Sequence, residues 1–144
     1  MIAVDTNILV FAHRADSEWR PAARAAMASL AEGPSAWAIP WPCLHEFLAI
    51  VTHPRIYRPP TPLARAIDQF EAWRESPGLV CLGETEGYWD TLRRTLASGR
   101  VAGAVVHDAR IAALCLEHRV ETLWTHDRDF SRFPSLTVAN PLVR

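Results

Sequence analysis

Strand-like and helix-like segments alternate along nearly the whole of this chain, and that order limits the folds open to it. Residues 2–5, 36–39, 79–82 and 122–125 are short apolar runs, and 136–139 is a weaker fifth. Each is too short for a helix and reads as a buried strand. Between them the apolar residues recur at helical spacing. Ser17 is placed to cap a helix running to about Leu30, with Gly33 just past its end. Pro42 opens a second helix that runs to about Val51. Thr61-Pro62 is a cap and first-position pair for a third, with Leu63, Ala66, Ile67, Phe70 and Trp73 as its apolar face. Thr85 starts a fourth, with Tyr88, Trp89, Leu92 and Leu96 on one side and Gly99 as its stop. Val105 to His118 forms a fifth. Strands alternating with helices predict an α/β fold, a mostly parallel sheet of four to five strands covered by helices on both faces.

Composition narrows the class further. A chain of 144 residues with 49% hydrophobic and 22% charged residues suits a single globular domain, residues 1–144. No apolar run approaches about 18 residues, so no membrane span is expected. The N-terminal Met1-Ile2-Ala3-Val4-Asp5 has no basic region and carries an early acid, unlike a signal peptide. Cys43, Cys81 and Cys115 lack paired spacing and fall in apolar segments, as reduced core residues of a cytoplasmic protein do. All fifteen basic residues are arginine, and the net charge is −1. That balance excludes a generally basic coat for nucleic acid, but not a local arginine surface beside an acidic pocket.

Acids at four points of the chain are the candidates for chemistry. Asp5 ends the first strand, where ligand sites of open α/β sheets collect; it could equally cap the following helix with help from Asn7. Glu46 interrupts an apolar stripe of the Pro42 helix, between Cys43 and Ile50; the alternative is a partly exposed flank. Asp108 is in line with Val105, Ile111, Ala112 and Cys115, the inward face of its helix, and could otherwise be a first-turn acid favoured by the helix dipole. Asp127 and Asp129 follow the fourth strand, where an acid could also cap a turn. Trp73 and Trp89 have core spacing, and His107 falls on the solvated side with Arg110.

Should these acids converge, their mutual repulsion calls for a cation. Two carboxylates about 5 Å apart repel by roughly 3 kcal/mol at an effective dielectric near 20. An all-oxygen set favours Mg2+ or Mn2+ over zinc, and such an ion suits phosphodiester hydrolysis. Thr6, Asn7 and Thr125 stand beside the acids and could orient them, or serve only as caps. Arg93, Arg94, Arg100 and Arg128, with Arg55, Arg58 and Arg132, could bind RNA phosphates or form an ordinary solvated surface.

At these residues the chain resembles a known family. Val4-Asp5-Thr6-Asn7-Ile8-Leu9, the Glu46 helix, His107-Asp108-Ala109-Arg110-Ile111-Ala112-Ala113 and Thr125-His126-Asp127-Arg128-Asp129-Phe130 look like the motifs of PIN domains, in order. Length and spacing resemble the VapC-type toxins. The resemblance implies a PIN-like three-layer α/β/α sandwich and a Mg2+- or Mn2+-dependent ribonuclease, commonly a homodimer held in check by a cognate antitoxin. It implies Asp5 and Asp108 as principal metal ligands, Glu46 acting directly or through water, and Asp127 completing the quartet, with Asp129 as the competing fourth acid. The proline-rich stretch from Arg55 to Pro62 departs from the usual pattern. An RNA-processing nuclease without an antitoxin and a catalytically silent interaction module are the other readings. The four intact acids argue against the silent one. A phosphoacceptor receiver would need a lysine, and this chain has none.

Overall fold

The computed structural model describes residues 1–143. Five strands, β1 (Ile2–Val4), β2 (Trp37–Pro40), β3 (Leu79–Leu82), β4 (Thr122–Trp124) and β5 (Val138–Ala139), form one sheet in the order β3-β2-β1-β4-β5. Every neighbouring pair is parallel. The helices are α1 (Thr6–His13), α2 (Arg20–Ala31), α3 (Trp41–Val51), α4 (Leu63–Arg74), α5 (Tyr88–Ser98) and α6 (Val106–Glu117). This is the α/β architecture expected from the alternation, with the sheet parallel throughout.

The strand order positions the site. From central β1 the chain steps outward through β2 to β3, then returns to lay β4 on the opposite side of β1. The connections therefore diverge between β1 and β4, and the crevice at the carboxyl ends of these two strands is a topological switch point. The residues that follow them in the chain are Asp5 and Thr125. The core beneath the crevice is apolar: Val4, Ile8, Leu9, Ile39, Phe47, Ile111 and Leu123 are all fully or almost fully buried.

Several local expectations need correction. The helix α1 had no amphipathic signal because its buried residues Ile8, Leu9, Val10 and Ala12 encircle much of it, packed between α2 and α3. Ser17 does not cap α2, which starts at Arg20; its hydroxyl accepts from the Trp19 N–H in a local turn. Thr61 does not cap α4 either. Its hydroxyl is buried against His13 and Arg14, and Pro62 stands at the cap position. Helix α5 begins at Tyr88 rather than Thr85, whose hydroxyl donates to Glu117 instead.

Trp89 is 61% exposed, because α5 turns the buried Thr91 and Thr95 inward and the position after Tyr88 outward. Only Ala66 and Trp73 of the expected apolar face of α4 are buried; Leu63 and Ile67 are 59% and 45% exposed. Gly99 does end α5, and a β-carbon there would lie 2.8 Å from the buried ring of Phe133.

Candidate active site

Asp5 occupies the mouth of the switch-point crevice and is only 4% exposed. Its extended backbone (φ −79°, ψ 162°) places it before the first turn of α1, so both sequence readings hold: it caps the helix and faces the crevice. One carboxylate oxygen, Oδ1, accepts from the Thr6 N–H at 2.8 Å and from the Cys43 thiol at 3.5 Å. The other, Oδ2, accepts from the Thr125 hydroxyl at 2.7 Å and from the Asn7 amide at 3.4 Å. These donors favour the charged form, but burial outweighs them and pushes Asp5 up to about 6.

Thr125 is the hub of this network. Its hydroxyl donates to Asp5 and accepts from the Asn7 amide at 3.2 Å and from the Asp127 N–H at 3.0 Å. One proton and two lone pairs are thus fully used. Asn7 closes the circuit by accepting from the His126 N–H at 3.1 Å. The turn after β4 is therefore fastened to the start of α1, and Asp127 is carried with it.

The other acids arrive from helices. Asp108 sits in the first turn of α6, half-buried in line with Ile111 and Ala112. Burial raises it to about 6, reinforced by the charges of Asp127, Asp5, Asp129 and Glu46. Carboxylate oxygens of Asp108, Asp127 and Asp129 lie within 4.8 Å of one another. Glu46 projects from α3 and accepts from the Thr6 hydroxyl at 2.8 Å, although its residue is exposed.

A cavity of about 300 Å3 gathers Asp5, Glu46, Asp108 and Asp127, with Thr6 and Asn7. Asp129 is exposed and lies outside that lining; its N–H donates to Asp127 Oδ1 at 2.8 Å, which fixes the Asp127 carboxylate.

Other sequence candidates lie elsewhere. Arg93 faces Asp90 at 3.9 Å on α5, and Arg94 donates to Thr91 beside a different cavity. Arg100 adopts a positive φ of 50° just past α5, and Arg128 is exposed next to Asp127. None of the four lines the acidic cavity. His126 turns away from it, with its Nδ1 hydrogen-bonded to the Asn140 amide at 3.1 Å and its ring against Phe11 and Trp19.

Two further sets of residues border the site; the sequence puts His107 and Arg110 together but gives no sign of Tyr57. His45, His107 and Arg110 line an adjoining cavity that shares Glu46 with the acidic one. Tyr57, Phe11, Val10 and Ile50 line the acidic cavity itself. Glu46 is common to both cavities; no periodicity marks Tyr57, which comes from a loop.

The PIN domain model matches residues 2–136, and the chain belongs to that family. Its relatives there are VapC ribonucleases: it is 30% identical over 137 residues to ribonuclease VapC48 of Mycobacterium tuberculosis, covering 95% of this chain and 94% of that one. It is thus a nuclease of the PIN class.

The fold is shared with a VapBC2 structure from Rickettsia felis, bound to a promoter DNA fragment, at TM-score 0.67 and 20% identity over 97% of this chain and 98% of that one. It is shared likewise with a toxin–antitoxin complex from Klebsiella pneumoniae, at TM-score 0.62 and 19% identity over 98% of each chain.

Proposed function

We propose that this chain is the toxin of a type II toxin–antitoxin pair: a Mg2+- or Mn2+-dependent endoribonuclease that hydrolyses RNA phosphodiesters and is neutralised by a cognate antitoxin. The observation that carries the reading is the convergence of Asp5, Glu46, Asp108 and Asp127 on one cavity at the switch point. Four carboxylates in one crevice, with carboxylate oxygens of Asp108, Asp127 and Asp129 within 4.8 Å of one another, are a donor set for a hard divalent cation. Cys43 does not compete as a ligand, because burial holds its thiol well above its ordinary value and it serves as a donor to Asp5.

Asp5 and Asp108 would hold the ion directly, with Asp127 completing the set and Glu46 acting directly or through water. The bound ion would polarise a phosphoryl oxygen and lower the pKa of a water. The chain's own residues supply orientation. Thr125 and the Thr6 N–H fix the two oxygens of Asp5, and Asp129 fixes Asp127 through its backbone. Thr6 holds Glu46 at the solvent-facing rim, placed to take a proton from the attacking water. Water adds to phosphorus as one P–O bond breaks, and the leaving oxygen is protonated from solvent. Arg110, His45 and His107, across Glu46 from the acids, are placed to receive a neighbouring phosphate.

The antitoxin reading is supported by the VapC relatives and by the shared fold with the Klebsiella complex. A homodimer is supported by the outward-facing Leu63 and Ile67 of α4. No helix among the described residues is long and apolar enough to cross a membrane. The test is cleavage of total RNA by purified protein with Mg2+ or Mn2+, suppressed by the product of an adjacent small gene. Cleavage that the neighbouring product leaves untouched would contradict the antitoxin part.

A further inference from the structure

We propose that Tyr57 is a stacking platform for an RNA base beside the scissile phosphate, an inference that rests on the ribonuclease reading above. The cavity is not lined by acids alone; Val10, Phe11, Ile50 and Tyr57 also line it. A phosphate group and its counter-cation are polar throughout and leave that apolar part unmatched. A nucleobase, the flat apolar portion of the same substrate, matches it, and aromatic side chains bind bases this way with little regard to sequence.

Tyr57 is also held in place before any ligand arrives. The Arg14 guanidinium covers one ring face at 4.2 Å from the centroid. That guanidinium is itself fixed: Nε and Nη2 donate to the two oxygens of Asp16 at 2.9 and 2.7 Å, and Nη1 to Pro59 O at 3.0 Å and the Thr61 hydroxyl at 3.2 Å. The loop is fastened at both ends, by Tyr57 N–H to His53 O at 3.0 Å and Thr61 N–H to Val51 O at 2.7 Å. A ring braced on one face by a cation and fixed along its backbone loses little freedom on binding. The proline-rich stretch thus has a function: it delivers one aromatic residue to the lining of an acidic cavity.

The experiment has two arms, each with Tyr57→Ala, Tyr57→Leu and Tyr57→Phe, and with thermal melts to monitor folding. In the first, cleavage of a single-stranded oligoribonucleotide is measured with Mg2+. Tyr57→Ala and Tyr57→Leu should raise KM about tenfold or more with kcat little changed, and Tyr57→Phe should match the wild type. In the second, binding is measured with Ca2+ in place of Mg2+, comparing the oligoribonucleotide with a sugar–phosphate oligomer of equal length that carries no bases. The wild type should prefer the base-bearing strand, and Tyr57→Ala and Tyr57→Leu should lose the preference while still binding the backbone. An unchanged preference in both variants overturns the proposal, as does a Tyr57→Phe defect equal to that of Tyr57→Ala, which would assign the effect to the hydroxyl. A wild type that cleaves no RNA but keeps a Tyr57-dependent preference for bases would refute the nuclease reading and leave the stacking platform standing.

Discussion

The Thr125 hydroxyl donates to Asp5 Oδ2 at 2.7 Å and so joins the carboxyl ends of the two strands that flank the switch point. The same oxygen accepts the Asp127 N–H at 3.0 Å. One hydroxyl therefore sets the positions of two acids. Thr125→Val should remove the donor to Asp5 and leave the Asp127 and Asn7 donors unpaired. Loss of such an orienting partner costs about 10–100-fold in metal affinity or activity. Thr125→Ser, which keeps the hydroxyl, should stay close to the wild type. Steady-state cleavage of a fluorogenic oligoribonucleotide compares the variants. Equal activity of Thr125→Val and wild type would show that Asp5 is positioned without Thr125.

The acids should differ in weight. Asp5→Asn and Asp108→Asn should each cost about 10²–10³ in turnover or more, and Glu46→Gln nearly as much. Asp127 lines the cavity whereas Asp129 is exposed and outside that lining, although its carboxylate lies within 4.8 Å of those of Asp108 and Asp127. Asp127→Asn should therefore be more damaging than Asp129→Asn. Turnover measured at saturating Mg2+ tests the order, and its reversal would assign the fourth position to Asp129.

Protons should compete with the metal. Asp5 and Asp108 are both raised to about 6 in the metal-free chain, from an ordinary value of 3.8. Below that value both are largely neutral and poor ligands, so the Mg2+ concentration for half-maximal activity should climb as pH falls through about 6. Above pH 7 it should level off. An Mg2+ requirement that stays flat between pH 5 and pH 8, by titration at fixed substrate, would disconnect these two acids from the ion.

The same shifts bear on stability, with a definite sign. A group whose folded pKa is raised favours folding below its unfolded value and loses that contribution as pH rises through its folded value. The metal-free protein should therefore gain stability as pH is lowered from 8 towards 5, insofar as these two acids dominate. At neutral pH Asp108→Asn removes one repelling charge from a half-exposed position, worth about 1 kcal/mol once solvent screening is allowed for. That corresponds to a rise of about 2–4 °C in the metal-free Tm. Added Mg2+ should raise the Tm of the wild type more than that of Asp108→Asn. Asp5→Asn should not share the gain, because two of the four donors converging on its carboxylate would meet an amide NH2. Thermal melts with and without Mg2+ separate these outcomes. A lower metal-free Tm for Asp108→Asn with an unchanged Mg2+ response would make Asp108 a structural cap.

What was legible in the sequence followed from periodicity and position. Short apolar runs mark buried parallel strands, and an acid directly after such a run falls at the ligand end of the sheet, which is how Asp5 and Asp127 stood out. Asp108 stood out because it shares a face with Ile111 and Ala112. The start of helix α1 was legible in the cap at Asp5, but its extent was not, since a short helix buried on several sides has no polar stripe to display its period. Trp89 and Ile67 misled because apolar character at helical spacing does not distinguish a face turned to the core from one turned outward. Tyr57 gave no signal at all: its place in the cavity depends on a loop held by Arg14, His53 and Thr61, contacts that no local pattern encodes.

The central claim is that Asp5 and its neighbouring carboxylates hold a divalent ion that hydrolyses RNA. It is tested most directly by RNA cleavage across an Mg2+ titration, with EDTA as one endpoint and Asp5→Asn as the paired variant. The account predicts cleavage that rises with Mg2+, is abolished by EDTA, and falls by about 10²–10³ or more in Asp5→Asn at every Mg2+ concentration. Full cleavage in EDTA, or an Asp5→Asn titration that overlays the wild type, would contradict it.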